Sequence, residues 1–237
     1  MFSKRSYQQE LLDYGPSHYQ VDEYHRCLEQ LNKIGIWLGG NSASSKALNT
    51  LKTPPESILD VGCGGGFFTL RMAQQFPHAK VVGIDVNPLA IEFANKQLAK
   101  MDKPPPNVSF TLKTHPELIE LPKSYDVIIA TLVCHHLPDD ILIDFLRRAS
   151  IVARQKIIIN DLQRHVAAYT LFKLISPLCF RNRLVRHDGP LSIKRAFTKK
   201  EWLHYLAHAG ISPECFDIKW RWAFRWLVEI DCTKTTL

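Results

Sequence analysis

Ile58-Leu59-Asp60-Val61-Gly62-Cys63-Gly64-Gly65-Gly66-Phe67-Phe68-Thr69-Leu70 combines a buried strand, a glycine turn and the opening of a helix. Glycines are needed at such a turn because the backbone must bend sharply and approach a ligand with no Cβ in the way. The pocket this implies is of the nucleotide type. A dinucleotide fingerprint, G-x-G-x-x-G, would place its third glycine where Phe67 stands, so NAD is disfavoured. No Gly-Lys-Ser/Thr follows the glycines, which removes the lysine and hydroxyl that an ATP phosphate loop requires.

Farther along, Val81-Val82-Gly83-Ile84-Asp85 is a second strand ending in an acid, 23 positions beyond Gly62. A carboxylate at that tip accepts hydrogen bonds from both ribose hydroxyls and repels a 2′-phosphate. Short β-rich runs continue at Val108 to Leu112, Asp126 to Leu132 and Lys156 to Asp161, separated by helix-length amphipathic segments. That alternation builds a parallel sheet covered by helices.

Outside this core, Leu28, Leu31, Ile34, Trp37 and Leu38 form one apolar stripe, so residues 1–50 are expected to be a helical extension that Gly39-Gly40 ends. Residues 51–237 are then the catalytic domain. Pro88 to Lys100 suits a helix with Ile91, Ala94 and Leu98 facing inward. Thr198 to Ala209 reads as a helix with Thr198 as N-cap, Glu201 three residues on and Gly210 as the stop. Glu214 to Ile230 is expected to form an antiparallel pair bent near Ala223.

Composition fits a folded chain, with 46% hydrophobic and 22% charged residues. Met1 to Glu10 lacks the apolar run of a secretory signal, and the stretch from Val166 to Phe180 is broken by Lys173 and Pro177. No membrane-spanning helix is expected. Six scattered cysteines, Cys27, Cys63, Cys134, Cys179, Cys215 and Cys232, show no zinc spacing and are expected to be free thiols in a cytoplasmic protein. The net charge of +7 is concentrated between Arg164 and Lys200, a segment of net +8 in which Asp188 is the single acid. Such a surface steers an anionic small molecule, a membrane headgroup layer or a nucleic acid, or is simply a solvated basic loop.

Asp60 to Gly66, Gly83-Ile84-Asp85 and Tyr125 to Ala130 resemble, in order and spacing, the motifs of class I S-adenosylmethionine-dependent methyltransferases. The resemblance covers roughly residues 58–161. It implies an α/β fold, a doubly wound, mostly parallel seven-stranded sheet, with a helical insertion after strand five at 164–197. It also implies S-adenosylmethionine as cofactor. Gly62, Cys63 and Gly64 would meet its methionyl end, and Asp60 would support that loop or the ammonium. Asp85 would hold the ribose, Val86 would pack on adenine, and Ala130 and Thr131 would lie beside the sulfonium. One departure is Lys113-Thr114-His115, where many relatives carry an acid for the adenine amine.

Methyl transfer from a sulfonium is an in-line displacement, so the protein must position the acceptor and, for a hydroxyl, take its proton. Cys134-His135-His136-Leu137-Pro138-Asp139 follows the fourth strand, and His135 or His136 is the candidate contact to substrate. Otherwise one of the pair caps a helix or packs on the cofactor and the other is a satisfied interior residue. His165 and His187 are alternative bases in the insertion, whose helix from Val166 to Leu178, with Tyr169, Phe172 and Leu174, is expected to lid an aromatic or lipid-like acceptor. Those aromatics otherwise belong to the core, and Arg164 pairs with Asp161 or Asp188. Some quinone-pathway O-methyltransferases carry two carboxylates and a histidine for a divalent metal where this chain has Leu132, His135 and His136, so no metal is predicted.

The expected function is O-methylation, or C-methylation, of a phenolic or quinone-like small molecule. Nucleic acid is the alternative, opposed by the lack of an Asn/Asp-Pro-Pro-Tyr/Phe tetrapeptide after strand four. A third reading is a non-catalytic S-adenosylmethionine-binding scaffold docked on a partner or on a membrane periphery.

Overall fold

A computed structural model describes residues 2–113 and 122–234. Seven strands form one sheet in the order β3-β2-β1-β4-β5-β7-β6: β1 (Ser57–Val61), β2 (Lys80–Asp85), β3 (Val108–Leu112), β4 (Tyr125–Thr131), β5 (Ala153–Leu162), β6 (Phe216–Arg221) and β7 (Arg225–Asp231). The first five strands run parallel, and β7 enters antiparallel between β5 and β6. This is the doubly wound α/β sheet expected, including the C-terminal hairpin.

The central strands are apolar on both faces because helices cover both faces. With a side-chain period of two, Leu59, Val61, Ile128, Ala130, Ile157 and Ile159 share one core cluster with α5 (Asp139–Val152) and α8 (Lys199–His208). Their alternates Ile58, Val127, Ile129 and Ile158 join a second cluster with α2 (Gly40–Leu48) and α3 (Phe67–Gln75). At α8 the expected capping box is present, with Thr198 and Glu201 exchanging side-chain-to-backbone bonds, and Gly210 has φ +78° just beyond the helix.

Several local expectations are corrected. Residues 2–20 are an extended strap with two short 3-10 turns, and helix begins only at α1 (Val21–Trp37). Gly39, at φ 71°, ends that helix, but Gly40 immediately opens α2 instead of a loop. Tyr24, Cys27 and Leu28 are buried, whereas Trp37 is 70% exposed, because the last turn of α1 packs through Ile34 and Gly35 and turns Trp37 outward. In α4 (Pro88–Ala99) the buried side chains are Ala90, Phe93 and Ala94. Ile91 and Leu98 are only half-buried, since the neighbour that claims this helix is α1, through Tyr24, Cys27 and Leu28.

The insertion after β5 consists of α6 (Val166–Cys179) and α7 (Arg183–Arg195). It is α7 that faces the rest of the molecule, packing on α1 and on the strap, while α6 packs chiefly on α7. Phe172 lies over Gly189, where an added Cβ would come within 2.3 Å of the ring, and Leu174 is 66% exposed.

The strap is pinned by buried charge. Arg5 donates to Arg195 O at 2.7 Å, to Asp139 at 2.7 Å, and to His135 O and Leu137 O at 2.8 Å each. Asp188 accepts from the backbone N–H groups of Leu11 and Leu12 at 2.8 and 3.1 Å. Arg164 pairs with Glu201 at 2.6 Å and also donates to Phe2 O and Ala196 O, so its partner is neither Asp161 nor Asp188. All six cysteines are free thiols, and no helix among the described residues is long and apolar enough to cross a membrane.

Candidate active site

A pocket of about 760 Å³ opens at the C-terminal ends of β1, β2 and β4, where the strand order reverses between β1 and β4. Ligands of open α/β sheets bind at such switch points. Its floor is the glycine loop. Gly62 and Gly64 have φ of 67° and 52°, a region that side chains other than glycine rarely enter. A Cβ on Gly62 would come within 2.4 Å of Val133, and one on Gly64 would project into the pocket toward Leu28.

Asp85 closes the loop from the second strand. Its two oxygens accept from the backbone N–H of Gly64 and of Asn87, each at 2.9 Å, and each oxygen keeps lone-pair capacity toward the pocket. Burial raises its carboxyl above the ordinary carboxylate range, and the backbone donors oppose that rise. Val86, 56% exposed, offers an apolar platform on the pocket wall. Asp60 also lines the pocket and accepts from Thr69 Oγ1 at 2.6 Å; burial pushes it up to about 7. Cys63 and Thr131 line the pocket as well, and Thr131 Oγ1 is buried without a hydrogen-bond partner among the described residues. Ala130 is fully buried and does not reach the pocket surface. Thr114 and His115 lie outside the described residues, while Lys113 lines the pocket.

These features fit S-adenosylmethionine. A Cβ-free cradle, an acid with spare lone pairs at the second strand tip and an exposed apolar side chain beside it match the methionyl, ribose and adenine portions in turn.

The opposite wall is assembled from distant parts of the chain. His136 lines the pocket, and its Nδ1 lies 2.7 Å from Asp13 Oδ1. His135 is 2% exposed, with Nδ1 2.6 Å from Asp161 Oδ1 and its backbone N–H donating to Asp161 Oδ2 at 3.1 Å. Burial alone would raise Asp161, but the adjacent His135 outweighs it and holds the carboxyl below its ordinary range. Asp13 is likewise held well below that range against its burial, by His136 and Arg195. A carboxylate beside each Nδ1 favours a proton on that nitrogen, and in a neutral ring so held Nε2 presents the lone pair.

Glu10 completes this wall. It is 1% exposed, and its carboxyl is pushed up to about 7 by burial. Arg195 donates to His135 O at 3.1 Å and His136 O at 2.9 Å, and it pairs with Asp13, which locks the strap onto the histidine turn. Arg225, 2% exposed, also lines the pocket; Nε and Nη1 are buried with no hydrogen-bond partner among the described residues.

The structure does not bring the other two histidines to this pocket. His165 is exposed and caps α6 by accepting from Ala167 N at 3.1 Å, and His187 is exposed and bonded to Asp188 at 2.7 Å. Nor do Tyr169, Phe172 and Leu174 line the pocket, which the strap covers in place of the expected helical lid. Glu10, Asp13, Arg195 and Arg225 escaped sequence reasoning, because nothing local to them signals that the first three converge on residues 135 and 136 or that Arg225 lines the pocket.

A family model described as a methyltransferase domain matches residues 52–210. Among similar proteins, a malonyl-[acyl-carrier protein] O-methyltransferase of Legionella pneumophila is 36% identical over 32% of this chain and 25% of its own length. A ubiquinone biosynthesis O-methyltransferase of Aliivibrio fischeri is 28% identical over 51% of this chain and 49% of its own. The chain thus spans only a quarter to a half of these curated relatives. The solved structure of human N-acetylserotonin methyltransferase with S-adenosylmethionine superposes with a TM-score of 0.61, at 15% identity, over 90% of this chain and 56% of that one. At that identity the likeness is one of fold.

Proposed function

Since the chain belongs to the methyltransferase-domain family, we propose that it transfers a methyl group from S-adenosylmethionine to a hydroxyl oxygen of a small, anionic, aromatic acceptor. The observation that carries this reading is one pocket with the glycine loop and Asp85 on its floor and the imidazole of His136 on the facing wall. Bound there, the cofactor supplies an electrophilic methyl group on a sulfonium.

The chain's own residues do the positioning. Gly62 and Gly64 admit the methionyl end to the backbone, Asp60 and Cys63 support that loop, Asp85 accepts from the ribose and Val86 covers adenine. Thr131, at the tip of β4, stands between the two walls. Because Asp13 holds the proton of His136 on Nδ1, the lone pair on Nε2 is free to receive the acceptor's hydroxyl proton as the new C–O bond forms. Arg225 supports an anionic acceptor: a buried guanidinium with unspent donors is satisfied by a carboxylate or phenolate.

A small molecule is favoured over a nucleic acid because the exposed bases of the basic segment 164–200, Lys173, Arg181, Arg186, Lys199 and Lys200, lie away from the pocket. Calorimetry with S-adenosylmethionine, followed by methyl transfer to a panel of phenolic acids, tests the reading. His136→Asn is expected to lower kcat by about 100-fold or more while leaving cofactor affinity unchanged. Full turnover by that variant would remove His136 from the mechanism, and failure of the wild type to bind the cofactor would end the proposal.

A further inference from the structure

At the acceptor wall, side chains from two distant segments bring three donor atoms together. Nε2 of His135 lies 3.8 Å from Glu10 Oε1, and Nε2 of His136 lies 4.0 Å from Glu10 Oε2. The three donor atoms fall within 4.8 Å of one another. Both imidazoles are turned into this arrangement by a carboxylate on Nδ1, Asp161 for His135 and Asp13 for His136. Glu10 is buried, and its Oε1 has no hydrogen-bond partner among the described residues. The nearby Arg195 does not relieve it: that guanidinium is 3.8 Å from Oε1 and gives its hydrogen bonds to the carbonyls of Gln8, His135 and His136 and to Asp13.

Acceptor atoms facing one another in a water-poor wall are relieved by a proton or a cation between them. Two imidazole nitrogens and one carboxylate, each imidazole backed by a carboxylate on its other nitrogen, are the donor set and outer shell of a divalent transition-metal site with an open position. We propose that Glu10, His135 and His136 bind a divalent cation of the zinc or cobalt kind at the pocket wall, with the free coordination position facing the pocket on the His136 side.

The inference rests on the acceptor-side role given to His136 and changes what the acceptor oxygen meets there. A hydroxyl bound to the cation is acidified, and its proton leaves to water. The oxygen then forms its bond to the methyl carbon as the sulfur–carbon bond breaks. Without the cation, the same proton goes to Nε2 of His136.

Equilibrium dialysis of the full chain against zinc, with cobalt absorption spectra as the geometric readout, tests the site. The wild type is expected to take up one ion, and Glu10→Gln, which keeps the shape of the side chain, to bind at least about 100-fold more weakly. The variant carrying His204→Asn and His208→Asn removes an exposed pair of imidazoles on one face of α8, a competing surface chelate, and is expected to leave uptake unchanged. The site is refuted if the wild type takes up no ion, if Glu10→Gln binds as tightly as the wild type, or if uptake disappears with His204 and His208. Cofactor calorimetry on the same samples separates the two readings: Glu10→Gln that still binds S-adenosylmethionine but not zinc locates the loss at the metal site.

Discussion

The floor and the facing wall of the pocket are built in opposite ways. The floor comes from two short runs, Asp60 to Gly66 and Gly83 to Asn87, joined by the backbone bond from Cys63 N to Ile84 O and by Gly64 N donating to the Asp85 carboxylate. The wall comes from the strap, the turn after β4, the tip of β5 and the end of α7, joined by the buried side chains of Arg5, Glu10, Asp161, Asp188 and Arg195. A surface made of adjacent backbone stands or falls locally. A surface made of buried ion pairs between distant segments is coupled to the stability of the whole chain.

That contrast can be broken most sharply at Arg195. Replacing it by Leu leaves Asp13 without its guanidinium partner and the carbonyl of His136 without its donor, while that of His135 keeps only Arg5, so thermal or urea unfolding is expected to show a loss of about 3 kcal/mol or more. Cofactor affinity is expected to change by less than about threefold, because no floor residue is touched. If affinity collapsed along with stability, the two surfaces would be one unit.

Asp85→Ala is the reciprocal change. Loss of two charge-assisted ribose bonds, together with the anchor of Gly64, is expected to weaken S-adenosylmethionine at least about 100-fold by calorimetry. A fall of less than about fivefold would show that the ribose is held elsewhere.

A smaller effect sharpens the electrostatics of the floor. Asp60 is raised to about 7 by burial, so the folded chain holds a proton there that the unfolded chain releases near pH 4. Its contribution therefore favours the fold at low pH and is lost as pH rises from about 4 to 7. Asp60→Asn, neutral at every pH, is expected to match the wild type at low pH and to melt about 3 °C or more higher at pH 8 without cofactor. A melting difference that stayed constant with pH would show that Asp60 is ionised throughout.

The smallest change is expected at the exposed bases. Lys199→Gln with Lys200→Gln should shift stability by no more than about 0.5 kcal/mol and leave cofactor affinity intact, because neither side chain touches the pocket.

Much of this was legible from local pattern. The strands β1 to β3 follow from short apolar, β-rich runs, and the capping box at Thr198 and the C-terminal hairpin from cap and turn chemistry that a single segment displays. The failures were failures of neighbourhood. The inward face of α4 was misplaced because α1 decides it, Trp37 was assigned to an inward stripe from which the last turn of α1 turns it away, and α6 was made a lid when α7 separates it from the pocket. His165 and His187 were plausible bases by residue type alone, and their partners, Ala167 N and Asp188, occupy them elsewhere.

The amino-acid sequence by itself determined the strands, the glycine loop, the acid that closes it and the family to which the chain belongs, since each is written within a few consecutive residues. Only the tertiary structure decided which histidine meets the pocket and which acids surround it. Glu10 and Asp13 reach residues 135 and 136 across more than a hundred positions of chain, and that meeting exists only once burial of Arg5, Asp188 and Arg195 has laid the strap over the sheet.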